Sequence, residues 1–183
     1  MKIFVATLLG GETGDRDIIR DWCHEASENG EDDLRLAVGA KIMEEIRADV
    51  YRRTQFRCSA GVAHCKTLAK LCCGLNKPNK QTVLPASKMP NLYENLKVTK
   101  VRGLGGKLGD SVVHQLGVET MGQLSQLSAA EIGSKFEPKT AHWLLGLCKG
   151  KDGENVKERE LPKSIGCGKN FRGKEKLNTK KKV

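Results

Sequence analysis

Lys77 is the residue whose neighbours best prepare it to hold an anion. It lies in Ser59–Gln81, SAGVAHCKTLAKLCCGLNKPNKQ, which reads as a strand end, a tight turn at Gly61, a helix, and a lysine directly before Pro78. Proline restricts the backbone of the residue before it, so the ammonium leaves the helix in a defined direction, flanked by Asn76 and Asn79. Lysine binds phosphate as a point charge. The order turn, helix, lysine predicts that the helix's opening amides and Lys77 converge on one phosphate. The plainer reading is a lysine that complements the helix dipole.

A second candidate is Val101-Arg102-Gly103-Leu104-Gly105-Gly106-Lys107-Leu108-Gly109. Gly103-Leu104-Gly105 between helical stretches predicts the hairpin of a helix-hairpin-helix element. Gly103, Gly105 and Gly106 would let the backbone approach a phosphate, and the amides opening the next helix would point at it. Arg102 and Lys107 add charge, and such a grip reads no bases. The alternative is a glycine-rich turn. A third is Lys163–Phe171, where Ser164, Gly166 and Lys169 alternate with other residues as in an extended strand along a nucleic-acid backbone, or in a linker.

Other reactive residues point elsewhere. Cys58, Cys65 and Cys72 recur every seven residues beside His64 and Cys73, without the Cys-x-x-Cys spacing of a zinc knuckle. Core cysteines are the expectation. A two-metal phosphoryl-transfer site needs acids converging from strand ends. Here the acids gather at residues 12–33 and on the first helix, where capping and solvation account for Asp32-Asp33 and Glu44-Glu45.

The elements that must position these residues follow from periodicity. Residues 10–33 are glycine-rich and acidic, with a short helix expected around Asp17–Ala26. From Leu34 a strong helix is predicted, with Leu34, Val38, Ile42, Ile46 and Val50 as its buried stripe. Phe56, Cys58, Ala60 and Val62 alternate as a half-buried strand. A second helix spans about Lys66–Asn76, and Gln81–Leu84 forms another strand. This helix-strand-helix-strand order is an α/β unit. Beyond Pro85, short helices run to Gly150; Ser128-Ala129-Ala130-Glu131 is a capping box. Residues 151–163 read as a charged linker, and Lys174–Val183 as a lysine-rich tail.

Composition agrees with a polyanion partner. The net charge of the 183 residues is +10. Residues 1–50 hold 6 basic and 12 acidic side chains, net −6, and the remainder hold 26 and 10, net +16. A basic body of this kind attracts nucleic acid. Seven cysteines without a regular framework suit reduced thiols,. No apolar run reaches the length of a membrane span, so no membrane partner is expected. The opening MKIFVATLLGG does not fit a signal peptide.

Residues 34–183 closely resemble the Y-family translesion DNA polymerases, through CSAGVAHCKTLAKLCCGLNKPNKQT, VTKVRGLGGKLGDSVVHQLGVETMGQL and LPKSIGCGKNF. Residues 1–33 match poorly. The resemblance implies the C-terminal part of an α/β palm at 34–85, a small all-α thumb with a helix-hairpin-helix-like element at 86–150, and a linker with the first strand of the little finger at 151–183. It implies that Lys77 contacts the triphosphate of the incoming deoxynucleotide. It further implies that Gly103, Gly105, Gly106 and Lys107 hold the backbone of primer-template DNA and that Ser164, Ile165 and Gly166 begin to lie along it; Arg102 and Lys169 are expected to add basic contacts to the same backbone. Cys65 stands where the family usually has asparagine. The activity implied is DNA-directed DNA polymerisation past damage in the nucleus, with magnesium as cofactor. The family's magnesium ligands lie in an N-terminal aspartate motif and a Ser-x-Asp-Glu strand, both expected upstream of this sequence. A sliding-clamp contact would lie beyond Val183. The expectation is a piece of a polymerase, inactive alone; the rival is a non-catalytic helix-hairpin-helix DNA-binding module or an inactive truncated product.

Overall fold

The computed structural model describes residues 5–6, 31–158, 164–171 and 176. The short helix expected at Asp17–Ala26 and most of the lysine-rich tail lie outside them. The elements begin with strands β1 (Val5–Ala6), β2 (Ala60–Val62) and β3 (Gln81–Val83), and helices α1 (Glu31–Thr54), α2 (Lys66–Leu75), α3 (Met89–Glu94), α4 (Lys107–Leu116) and α5 (Met121–Gln126). Helices α6 (Ala129–Gly133) and α7 (Pro138–Cys148) complete the helical half. The sheet order is β1-β3-β2, with β3 antiparallel to β1 and parallel to β2. The predicted helix-strand-helix-strand order is present.

Helix α1 begins with Glu31, Asp32 and Asp33 and ends with Arg52 and Arg53, the charge order its dipole favours,. Its buried face is not the predicted one. Leu36, Ala40, Glu44 and Arg47 face inward, while Leu34, Val38, Ile42 and Ile46 are each about half exposed. The helix is apolar on two sides, and the sheet takes the side with small residues. Gly39 comes close to Val62, and the Ala40 carbonyl accepts a hydrogen bond from Gln81 Nε2 at 2.8 Å. A bulky residue at 39 or 40 would hold the helix off.

Strand β2 is shorter than the alternation predicted. Its pairing begins at Ala60, opposite Gln81, and Phe56 is 75% exposed. β3 offers only three residues to pair with, so the alternating residues before Ala60 have no ladder. Gly61 lies within β2 rather than in a turn. A Cβ there would sit 2.0 Å from the Ala69 carbonyl oxygen, so the glycine lets α2 rest on the strand.

One apolar core runs from α2 through the helical half. It joins Leu68 and Cys72 to Leu84, Tyr93, Val101, Leu104, Val112, Leu124, Leu144 and Leu147, among others. Tyr93 Oη donates to the Leu147 carbonyl at 3.0 Å, and burial pushes its phenol upward. Thr120 and Ser128 each close a capping box, the second as its spacing predicts. Hydrogen bonds from Ser128 hold the Glu131 carboxyl below its ordinary value. Gly150, at φ +70°, ends α7. Among the described residues, no helix is long and apolar enough to cross a membrane.

The stretch after α7 is not a free linker. Cys65, at the N-cap of α2, supplies no side-chain cap. The amide of Thr67 instead donates to Asp152 Oδ2 at 2.7 Å, and the amide of Glu154 donates to Asp152 Oδ1 at 3.0 Å. Burial works against this carboxylate's charge, but the donated hydrogen bonds prevail and keep its pKa below the ordinary 3.8. A carboxylate at a helix N-terminus also meets the positive end of the dipole. Asp152→Ala should therefore cost about 1 kcal/mol, the usual worth of a helix cap, and speed hydrogen exchange at the Thr67 amide. A depressed folded pKa means that the docking is fully present above pH 3.8 and lost as pH falls through the lower folded value,. An NMR titration following the Thr67 amide checks the sign.

Candidate nucleic-acid interface

The glycine-rich hairpin is built from buried and exposed residues in alternation. A 3-10 turn at Val98–Lys100 leads into it, and the Leu104 amide donates to the Val101 carbonyl at 2.9 Å. Val101 and Leu104 are buried, whereas Arg102, Gly103, Gly105, Gly106 and Lys107 are exposed. Gly103 has φ +88°, and a Cβ there would lie 3.1 Å from the Trp143 ring. Both the dihedral and the ring select glycine. Gly106 faces open space, with nothing within 4 Å of a Cβ there, whereas a Cβ on Gly105 would touch the Thr99 carbonyl oxygen at 3.5 Å.

Helix α4 starts at this open side. Gly106 is its N-cap, and the first helical bond runs from the Asp110 amide to the Gly106 carbonyl at 3.1 Å. The amides of Lys107, Leu108 and Gly109 therefore have no acceptor within the helix. The amides of the exposed Lys107 and Leu108, the positive dipole end and the Lys107 ammonium can together hold a backbone phosphate, while Arg102 beside them pairs with Glu154,. All five predicted hairpin residues are exposed.

Lys77 does not join the opening amides of α2. It follows the C-cap Asn76, so the ten-residue helix, about 15 Å long at 1.5 Å per residue, separates it from them. Those amides face Asp152 instead. Lys77 is exposed on a loop held from below. Arg47 is buried and donates to the carbonyls of Cys58 and Asn79, each at 2.9 Å, and to Asn79 Oδ1 at 3.3 Å. Its guanidinium also pairs with Glu44 at 2.9 Å. Glu44 is thus an interior partner, not the solvated acid its sequence context suggested, while Glu45 is exposed. Asn76 Nδ2 donates to Thr82 Oγ1 at 3.0 Å, closing the other side of the loop.

Ser164, Ile165, Gly166 and Lys169 lie on an exposed stretch with no regular structure. The expected strand is absent among the described residues, because no neighbouring strand offers it a ladder. Lys169 Nζ lies over the Phe171 ring, 5.4 Å from its centre.

Of the described cysteines, Cys72 is buried, Cys58, Cys65, Cys73 and Cys148 are half-buried, and Cys167 is exposed. Burial pushes the Cys72 thiol up to about 12, the Cys148 thiol up to about 11, and the Cys65 thiol upward. None is a ready nucleophile. Among the described residues, no three His, Cys, Asp or Glu side chains converge to hold a metal. These residues do not fit a magnesium site.

The local sequence gave no sign of a further cluster. Glu154 pairs with Arg102 at 2.6 Å and with Lys66 at 3.1 Å. Hydrogen bonds from Arg102 and then Lys66 hold its carboxyl below the ordinary carboxylate range. The partners are 52 and 88 residues away, beyond any helical or strand spacing.

Comparison with known proteins matches two parts of the chain. Residues 96–151 fit a family described as DNApol eta/Rev1, HhH motif, which contains the hairpin. Residues 13–74 fit the impB/mucB/samB family, a match that starts upstream of Leu34. The DNA polymerase eta of Drosophila melanogaster is 46% identical over 145 residues, covering 79% of this chain and 16% of that protein. The DNA polymerase eta of Arabidopsis thaliana is 41% identical over 174 residues, covering 93% and 26%. A DNA polymerase IV 2 of Agrobacterium fabrum is 31% identical over 136 residues, covering 74% and 38%. The chain therefore spans about a sixth to a quarter of the eta relatives. With both family matches in chain order and the hairpin inside the second of them, the chain belongs to the Y-family of DNA polymerases.

Proposed function

We propose that this chain supplies part of a nuclear DNA-directed DNA polymerase for synthesis past damaged template. Its hairpin holds the backbone of primer-template DNA, and Lys77 contacts the triphosphate of the incoming deoxynucleotide. The observation that carries the reading is the exposed Arg102–Lys107 ledge over buried Leu104, within the residues that match the helix-hairpin-helix family. The support for Lys77 is its exposed place on a loop fixed by Arg47. Residues 34–85 act as the C-terminal part of the palm, 86–150 as the thumb and 151–183 as the approach to the little finger. Magnesium chemistry belongs to motifs that this sequence does not carry.

Two measurements test this reading. The chain should bind duplex DNA without sequence preference, with affinity falling steeply as salt rises. Gly103→Val should weaken that binding at least about threefold, because the side chain opposes both the dihedral and Trp143,. Binding indifferent to salt or to Gly103→Val contradicts the backbone grip. In a primer-extension assay with magnesium and nucleotides, the chain alone should add nothing to the primer. Robust incorporation would contradict the absence of a metal-binding set.

A further inference from the structure

We propose that Lys66 and Arg102 form a second DNA-phosphate subsite, whose place in the DNA-free chain is taken by the Glu154 carboxylate. The inference rests on the duplex-binding reading above. Lys66 opens α2 and Arg102 precedes the hairpin glycines, so the pair spans the α/β half and the helical half. Each puts a cation on the same carboxylate: Arg102 at 2.6 Å and Lys66 at 3.1 Å. One anion held by a guanidinium and an ammonium is the arrangement a phosphodiester oxygen pair would take.

The occupant is positioned, not adventitious. Asp152 anchors the segment to the Thr67 amide at 2.7 Å, and Lys66 Nζ also donates to the Asn155 carbonyl at 2.6 Å. Yet the carboxylate is open to exchange: the side chains of Lys66, Glu154 and Arg102 are 30%, 48% and 50% exposed. An exposed pair of this kind is weakly held and screened by salt. A phosphate that docks on the adjacent Gly103–Gly106 ledge brings a second, competing anion within reach of Arg102. Glu154 then acts as an internal mask that lowers affinity for DNA until the strand displaces it.

The test is duplex binding by the whole chain, followed by fluorescence anisotropy across a salt series. Glu154→Gln should tighten binding about fivefold at low salt and steepen the salt slope by about one. The same charge change at Glu94, as Glu94→Gln, controls for net charge. Arg102→Gln should cost less than about twofold in the parent chain, where Glu154 already occupies it, and about fivefold in the Glu154→Gln background. Equal tightening by Glu154→Gln and Glu94→Gln overturns the mask, as does an Arg102→Gln loss that is the same in both backgrounds. If the parent chain shows no salt-dependent duplex binding, the duplex reading itself fails and takes the subsite with it.

Discussion

Leu104 has no exposed surface, and its burial is what makes a glycine-rich turn into a fixed ledge. Burying one leucine side chain is worth roughly 1.5–3 kcal/mol. Val101, also buried, anchors the other side of the turn. The neighbours depend on Leu104. A Cβ on Gly109 would sit 1.8 Å from the Leu104 carbonyl oxygen, so α4 presses directly on the anchored residue. Gly103 lies against Trp143 on α7. The hairpin backbone therefore keeps its geometry through the core.

The same logic applies to Lys77. Its own side chain has little to fix it, but Arg47 joins α1, the approach to β2 and the Asn79 backbone in one buried network. Removing a partner from such a network leaves buried groups unsatisfied, which costs more than the bond itself was worth. Placement of the loop is thus a property of α1. The two candidate sites share a frame because the core continues from α2 to α7.

What was legible in the sequence was local. Helix α2, strand β3, the Ser128 capping box and the end of α7 at Gly150 follow from periodicity and caps, and the structure has each of them. Errors arose where a tertiary partner decided. The stripe of α1 was read from spacing alone, but Gly39 and Ala40 let the sheet approach the other face. Gly61 suggested a turn because glycine favours turns; its reason is the closeness of α2. Asp152 and Glu154 looked like linker charge, since their partners lie on α2 and before the hairpin. The hairpin itself was legible because its requirement for glycine and its flanking cations are all contiguous.

The central claim is that the Arg102–Lys107 ledge is the surface that meets DNA. The most direct measurement is a titration of isotope-labelled chain with a short duplex, following each backbone amide by NMR. The account predicts the largest shifts at Gly103, Gly105, Gly106 and Lys107, with the buried Leu124 and Leu144 unmoved. Shifts confined to other surfaces, with the hairpin amides unchanged at saturation, would contradict it.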